Sequence, residues 1–152
     1  MIKTKQMNIS VSELIVRYLE RLGVECIFGM PGAHVLPIYD RMLDSTVRSV
    51  LAKHEQGAAF MAGGYARVSH QVSACIATAG PGATNLVTGI ANAYAERLPV
   101  LVVTGETSTY IFGKGGLQEV RAKAAPSTSA PCSQALPATA SLSSARTIWA
   151  RC

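Results

Sequence analysis

The sequence predicts an α/β protein built on a parallel sheet with helices on both faces. Three observations lead there. Segments of helical period alternate with short apolar runs, four of each, from Ser10 to Thr104. The apolar runs are continuous, as in strands covered on both sides. The connections are short and rich in glycine and polar residues, as in repeated β–α units.

The elements follow in order. Ser10 stands three residues before Glu13, a capping-box start, and Leu14, Ile15, Tyr18, Leu19 and Leu22 recur at helical spacing up to Gly23. Val24 to Phe28 is the first strand. Gly29-Met30-Pro31-Gly32-Ala33 is a turn, and Val35 to Leu43 a second helix. Val47 to Ala52 is the second strand, read as buried, and a third helix runs from His54 to about Val68. Val72 to Thr78 is the third strand, Ala83 to Arg97 the fourth helix, and Pro99 to Thr104 the fourth strand. In such sheets ligands sit beyond the carboxyl ends of strands. Three segments collect at that end: Gly29 to His34, Lys53 to Gln56, and Gly80 to Asn85.

Composition bounds the function. The 152 residues suffice for one domain with a core, and an apolar content of 49% against 15% charged suits a globular chain. No apolar run reaches the ~20 residues needed to cross a bilayer, and no secretory signal is evident, so a cytoplasmic protein without membrane contact is expected. The net charge of +5 suggests nucleic acid, but Arg121, Lys123, Arg146 and Arg151 lie in a tail with no acid, and the rest is close to neutral. Without a basic stripe interleaved with aromatics, no nucleic-acid partner is expected. Cys26, Cys75, Cys132 and Cys152 form no C-x-x-C pair, and Cys26 and Cys75, in apolar runs, read as buried free thiols. No metal site is expected. Residues 1–7 read as an N-terminal extension, with Met7 a candidate start. From residue 120 the chain turns Ala/Ser/Pro-rich, and 120–152 is expected to be disordered, with a reading-frame shift as its simplest source.

The candidate functional residues are fewer. Glu55 opens a helix rich in small residues (Gly57, Ala58, Ala59, Ala62, Gly63, Gly64). It either complements the helix dipole or faces a ligand across a bare surface. Gly80 to Asn85 resembles a dinucleotide fingerprint but has Asn85 at the third glycine position, which leaves a tight turn and a cofactor contact both open. His34 and His54 are candidate ligands or acid/base groups, and His70 a solvated turn residue.

Four motifs occur in fixed order: FGMPGAHVLPIYD, KHEQGAAFMAGGYAR, ATAGPGATNLVTGIANAYAERLPVLVVTG and GKGGLQE. Together they resemble the N-terminal, pyrimidine-binding (PYR) domain of thiamine-diphosphate-dependent enzymes, most closely the acetolactate synthase group, over residues 8–119. The resemblance implies that Glu55 bonds N1′ of the cofactor's aminopyrimidine. A carboxyl sharing its proton there favours the imino form of the ring, which takes the thiazolium C2 proton. It implies that Gly32 and Ala33 approach the 4′-amino side, that Gly80, Pro81, Gly82 and Asn85 line the pyrimidine pocket, and that Gln118 reaches toward the reacting centre.

Leu117 and His34 depart from the acetolactate synthase pattern, which commonly has an aromatic residue and an alanine there. Only the pyrimidine end of thiamine diphosphate is expected to bind. In the family, magnesium and the diphosphate are held by a domain with a GDG motif, and FAD in some members by another; neither is expected here. The chain therefore reads as part of an enzyme that decarboxylates and joins 2-keto acids, inactive alone and belonging to a homodimer or homotetramer. The alternative is a non-catalytic module that pairs with a full-length relative through the helices starting at Glu55 and Ala83.

Overall fold

The computed structural model describes residues 9–111 and 114–119. The expected extension over 1–7 and the tail over 120–152 lie outside the described residues.

Four parallel strands, β1 (Cys26–Gly29), β2 (Arg48–Leu51), β3 (Ser73–Ala77) and β4 (Val100–Thr104), form one sheet in the order β2-β1-β3-β4. Helices α1 (Val11–Arg21) and α2 (Leu36–Met42) cover one face, and α3 (Glu55–Ser69), α4 (Pro81–Asn85) and α5 (Val87–Ala95) the other. The sheet divides its side chains by parity. Cys26, Phe28, Cys75, Ala77, Val100 and Val102 pack with Ala58, Ala59, Ala62, Ala66, Leu86, Ile90 and Ala93. Ile27, Ala74, Ile76, Leu101 and Val103 pack with Val16, Leu19, Val35, Ile38 and Met42. Strands buried on both faces therefore read as unbroken apolar runs. The α/β class with helices on both faces is as the sequence predicts.

Local signals act as expected at several ends. Ser10 caps α1, accepting from the Glu13 N–H at 3.2 Å. The Glu13 carboxylate turns instead to Arg17, one turn along. Gly23, after the α1 C-cap, has φ +72°, and His70 closes α3 at φ 58°. His54 is the exposed N-cap of α3, its Nδ1 accepting from the Gln56 N–H at 3.1 Å. Tertiary ties then fix α3: Ser73 Oγ donates to Ala62 O at 2.7 Å, and Arg67 pairs with Glu96.

Four expectations are corrected. Of the α1 stripe, Ile15, Leu19 and Leu22 pack in the core as expected, joined by Val16, while Leu14 and Tyr18 stay exposed. Strand β2, which includes Arg48 and Ser49, is not buried: Leu51 is 62% exposed, whereas the other edge strand, β4, is buried from Val100 to Val103. Residues 83–97 do not form one helix. The Leu86 N–H bonds Ala83 O, three residues back, which ends α4 and starts α5. The small residues of α3 are not a bare ligand surface either. Ala58, Ala59, Ala62 and Gly63 are buried within the chain, and only Gly57 and Gly64 are exposed.

Candidate active site at the carboxyl ends of the strands

From β1 the chain crosses to β2 on one side and then to β3 on the other. Such a reversal, at the carboxyl ends of β1 and β3, is the usual ligand position of an open parallel sheet. The loops leaving β1, β2 and β3 all carry predicted site residues to this end. A shallow cavity of about 530 Å³ lies at the opposite end, lined by residues that precede the strands, such as Val24, Thr46 and Val72. None of the predicted site residues lines it.

The first part of the site is built around Glu55. Its backbone starts α3 directly after the His54 cap, so the side chain leaves the helix at its N-terminal turn. Asn85, 30 residues further on, donates from Nδ2 to Glu55 Oε2 at 3.0 Å. The other oxygen, Oε1, lies beside Gly82. A Cβ added at Gly82 would come within 3.3 Å of Oε1 and 2.9 Å of Thr78 Cγ2. Glycine at 82 thus lets the α4 turn approach one carboxylate oxygen, which no described residue hydrogen-bonds, while Asn85 holds the other. Gly80 makes the turn from β3 at φ +61°, and Pro81 takes the first position of α4, where no N–H is needed.

The second part is a hydrogen-bonded chain across three loops. Thr78, the residue after β3, donates from Oγ1 to Gln118 Oε1 at 3.1 Å and lies 3.1 Å from His34 Nδ1. Gly32 passes so close that a Cβ there would sit 2.5 Å from Thr78 Cβ. Gly105, after β4, admits His34 in the same way, with 2.4 Å to its Cβ. Gln118 is held at φ +60°, a conformation uncommon for a residue with a side chain. Such outliers persist where surrounding structure enforces them. Here the enforcing contacts are Thr107, donating from Oγ1 to Leu117 O at 3.1 Å, and Glu119, accepting from the Gly115 and Gly116 N–H groups at 2.9 Å each.

The predicted residues therefore fall into two adjoining groups, Glu55, Gly82 and Asn85 in one and Gly32 and Gln118 in the other. Gly80 and Pro81 form the turn between β3 and α4. Ala33 is exposed in the β1 loop and makes none of these contacts. His34 joins the site, whereas His54 serves as a helix cap and His70 as a helix end. Sequence reasoning missed Thr78 and Gly105. A polar residue ending the apolar run VSACIAT was the available signal for Thr78; nothing local marked Gly105.

The family described as thiamine pyrophosphate enzyme, N-terminal TPP binding domain, matches residues 9–125. A probable acetolactate synthase large subunit of Methanocaldococcus jannaschii is 49% identical over 111 residues, 73% of this chain and 19% of that protein. An acetolactate synthase of Mycobacterium avium is 48% identical over 113 residues, 74% and 18% of the two chains. The isozyme 2 large subunit of Escherichia coli acetolactate synthase is 45% identical over 109 residues, 72% and 20%. The chain thus spans about a fifth of the length of these relatives. With a four-stranded parallel sheet, a carboxylate at the entry of α3 and the glycine turn after β3, it belongs to the thiamine pyrophosphate enzyme family, as an N-terminal TPP-binding domain.

Proposed function

We propose that the carboxyl end of the sheet is the pyrimidine-binding half of a thiamine-diphosphate site of the acetolactate synthase type, acting on 2-keto acids. One observation carries this reading. The Glu55 carboxylate has Oε2 held by Asn85, while Oε1, against Gly82, is hydrogen-bonded by no described residue. The site fits an aminopyrimidine: a fixed carboxylate offers one oxygen to a ring nitrogen, and Gly82 lets the α4 turn close on that oxygen and on Thr78.

Thiamine diphosphate supplies, when bound, a thiazolium ring that serves as nucleophile and electron sink toward 2-keto acids. The chain's own residues bind and orient. Glu55 holds a proton against the pyrimidine nitrogen, and Asn85 keeps its carboxylate in one rotamer. Gly80, Pro81 and Gly82 shape the wall on the α4 side; Gly32 and Ala33 form the wall from the β1 loop. Gln118 offers its amide to the substrate. Magnesium and the diphosphate belong, in this reading, to the remainder of such an enzyme, as does any FAD. A second copy of the chain would cover exposed Phe60 and Met61 on α3 and Tyr94 on α5, giving the homodimer that the reading requires.

The test is Glu55→Gln and Glu55→Ala, followed by titration with thiamine diphosphate and NMR of the Asn85 side-chain amide. In the parent chain the amide resonances shift on titration. In both variants the response falls at least tenfold, while thermal stability changes by no more than the ~0.3–1 kcal/mol of a helix-dipole contact. An undiminished response in Glu55→Gln would remove the assignment.

A further inference from the structure

Thr78 has one proton and two acceptor positions. Its proton goes to Gln118 Oε1, so toward His34 Nδ1 its oxygen can only accept. In that arrangement His34 donates from Nδ1, and Nε2 is left as the ring's acceptor. With Oε1 engaged, the Gln118 amide keeps its two N–H donors, and no described residue accepts from them. One hydroxyl therefore sets the polarity of two side chains that reach it from 44 and 40 residues away.

The surroundings show that this arrangement is built. Thr78 is packed between Gly32 and Gly82, where a Cβ would lie 2.5 Å from its Cβ and 2.9 Å from its Cγ2. Any rotation of the side chain is thus confined from two sides. The His34 backbone is seated against Gly105, and Gln118 is held in a left-handed conformation. Gly82 also touches Glu55 Oε1, so the Thr78 chain adjoins the carboxylate rather than standing apart from it.

We infer that Thr78 is a positioning residue of the site: it fixes His34 as the Nδ1–H tautomer and turns the Gln118 amide so that its N–H2 group, not its oxygen, is offered to the ligand. The pair then presents one acceptor and two donors to a small oxygenated carbonyl compound. A keto oxygen or carboxylate takes the Gln118 N–H, and a hydroxyl donates to His34 Nε2. That pattern matches a 2-keto acid and the 2-hydroxy ketone made from it. The ligand class rests on the function proposed above; the positioning role of Thr78 does not.

The experiment uses the full chain labelled with 15N, with Thr78→Val and Thr78→Ser as variants. Valine keeps the shape and removes the hydroxyl; serine restores the hydroxyl. The expected result is an Nδ1–H tautomer for His34 in the parent and in Thr78→Ser. In Thr78→Val that tautomer is lost and the Gln118 side-chain amide resonances move. An Nε2–H tautomer in the parent would overturn the inference, even if Thr78→Val fails to fold. A folded Thr78→Val with His34 unchanged would overturn it as well. The readout needs no thiamine. If thiamine diphosphate leaves the Asn85 amide unmoved while the tautomer pattern holds, the cofactor reading falls and the assignment of Thr78 stands.

Discussion

Replacing Gly82 by alanine separates a role in the site from a role in the fold. The new methyl would lie 2.9 Å from Thr78 Cγ2, 3.3 Å from Glu55 Oε1 and 3.6 Å from Ala77 Cβ. The first distance is too short, so Thr78 or the α4 backbone must move. Forced packing of this kind costs about 1–3 kcal/mol. Losing one or both Thr78 hydrogen bonds adds about 1 kcal/mol each. Against this, alanine gains about 1 kcal/mol over glycine in a helix. The net expectation is a loss of about 1–4 kcal/mol, obtained by combining those terms.

The effect on the site is separate, because the methyl stands against the Glu55 oxygen that no described residue hydrogen-bonds. Thiamine diphosphate binding, followed through the Asn85 side-chain amide, should weaken at least tenfold. The control is Gly64→Ala. Gly64 is an exposed residue in α3 with nothing within 4 Å of an added Cβ. The same chemical change there should stabilise by about 0.5–1 kcal/mol and leave binding unaltered. Urea unfolding gives the stability of all three chains, and NMR titration the binding. Unchanged cofactor binding in a folded Gly82→Ala would refute the argument that the contact of Gly82 with Glu55 belongs to the cofactor site.

Two further predictions concern the scaffold. At Gly89 an added Cβ would sit 2.4 Å from Ala59 Cβ and 3.1 Å from the Phe60 nitrogen, so Gly89→Ala should separate α3 from α5 and cost about 2 kcal/mol in urea unfolding; an unchanged midpoint would contradict that contact. Stability should also fall at high pH. Burial pushes the Cys75 thiol up to about 12, and a hydrogen bond to Glu25, with burial second, pushes the Tyr65 hydroxyl up to about 12. Both groups favour their protonated forms in the folded state, so their contribution is complete below their unfolded values, about 8.5 for Cys and 10 for Tyr, and is lost as pH rises toward 12. A melting temperature constant from pH 8 to 11 would contradict this, and Cys75→Ala should flatten the alkaline limb even though it lowers stability at neutral pH.

What the sequence by itself determined was set by short-range chemistry. The Ser10 cap, the helix end after Gly23 and the turn at Gly80-Pro81 are encoded by neighbouring residues, because caps and turns close within a few bonds of the chain. The unbroken apolar runs at Cys26–Gly29, Ser73–Ala77 and Val100–Thr104 announced strands covered on both faces, since period and burial are local properties of a segment. The four motifs in fixed order drew attention to Glu55, Gly82, Asn85 and Gln118 before any geometry was known.

Only the tertiary structure decided the rest. A strand does not state its cover: β2 and β4 both end the sheet, yet only β4 is buried. The helix after Gly80 is helical in composition throughout, yet its bonding shifts at Leu86. Small residues in α3 could serve a ligand surface or a close helix contact, and the packing of α5 and the sheet against them chose the second. Thr78 was silent because its partners, His34 and Gln118, are distant in the chain and meet only when β1, β3 and the loop beyond β4 converge. A hydroxyl acquires direction from the donors and acceptors around it, and those are brought together by the fold.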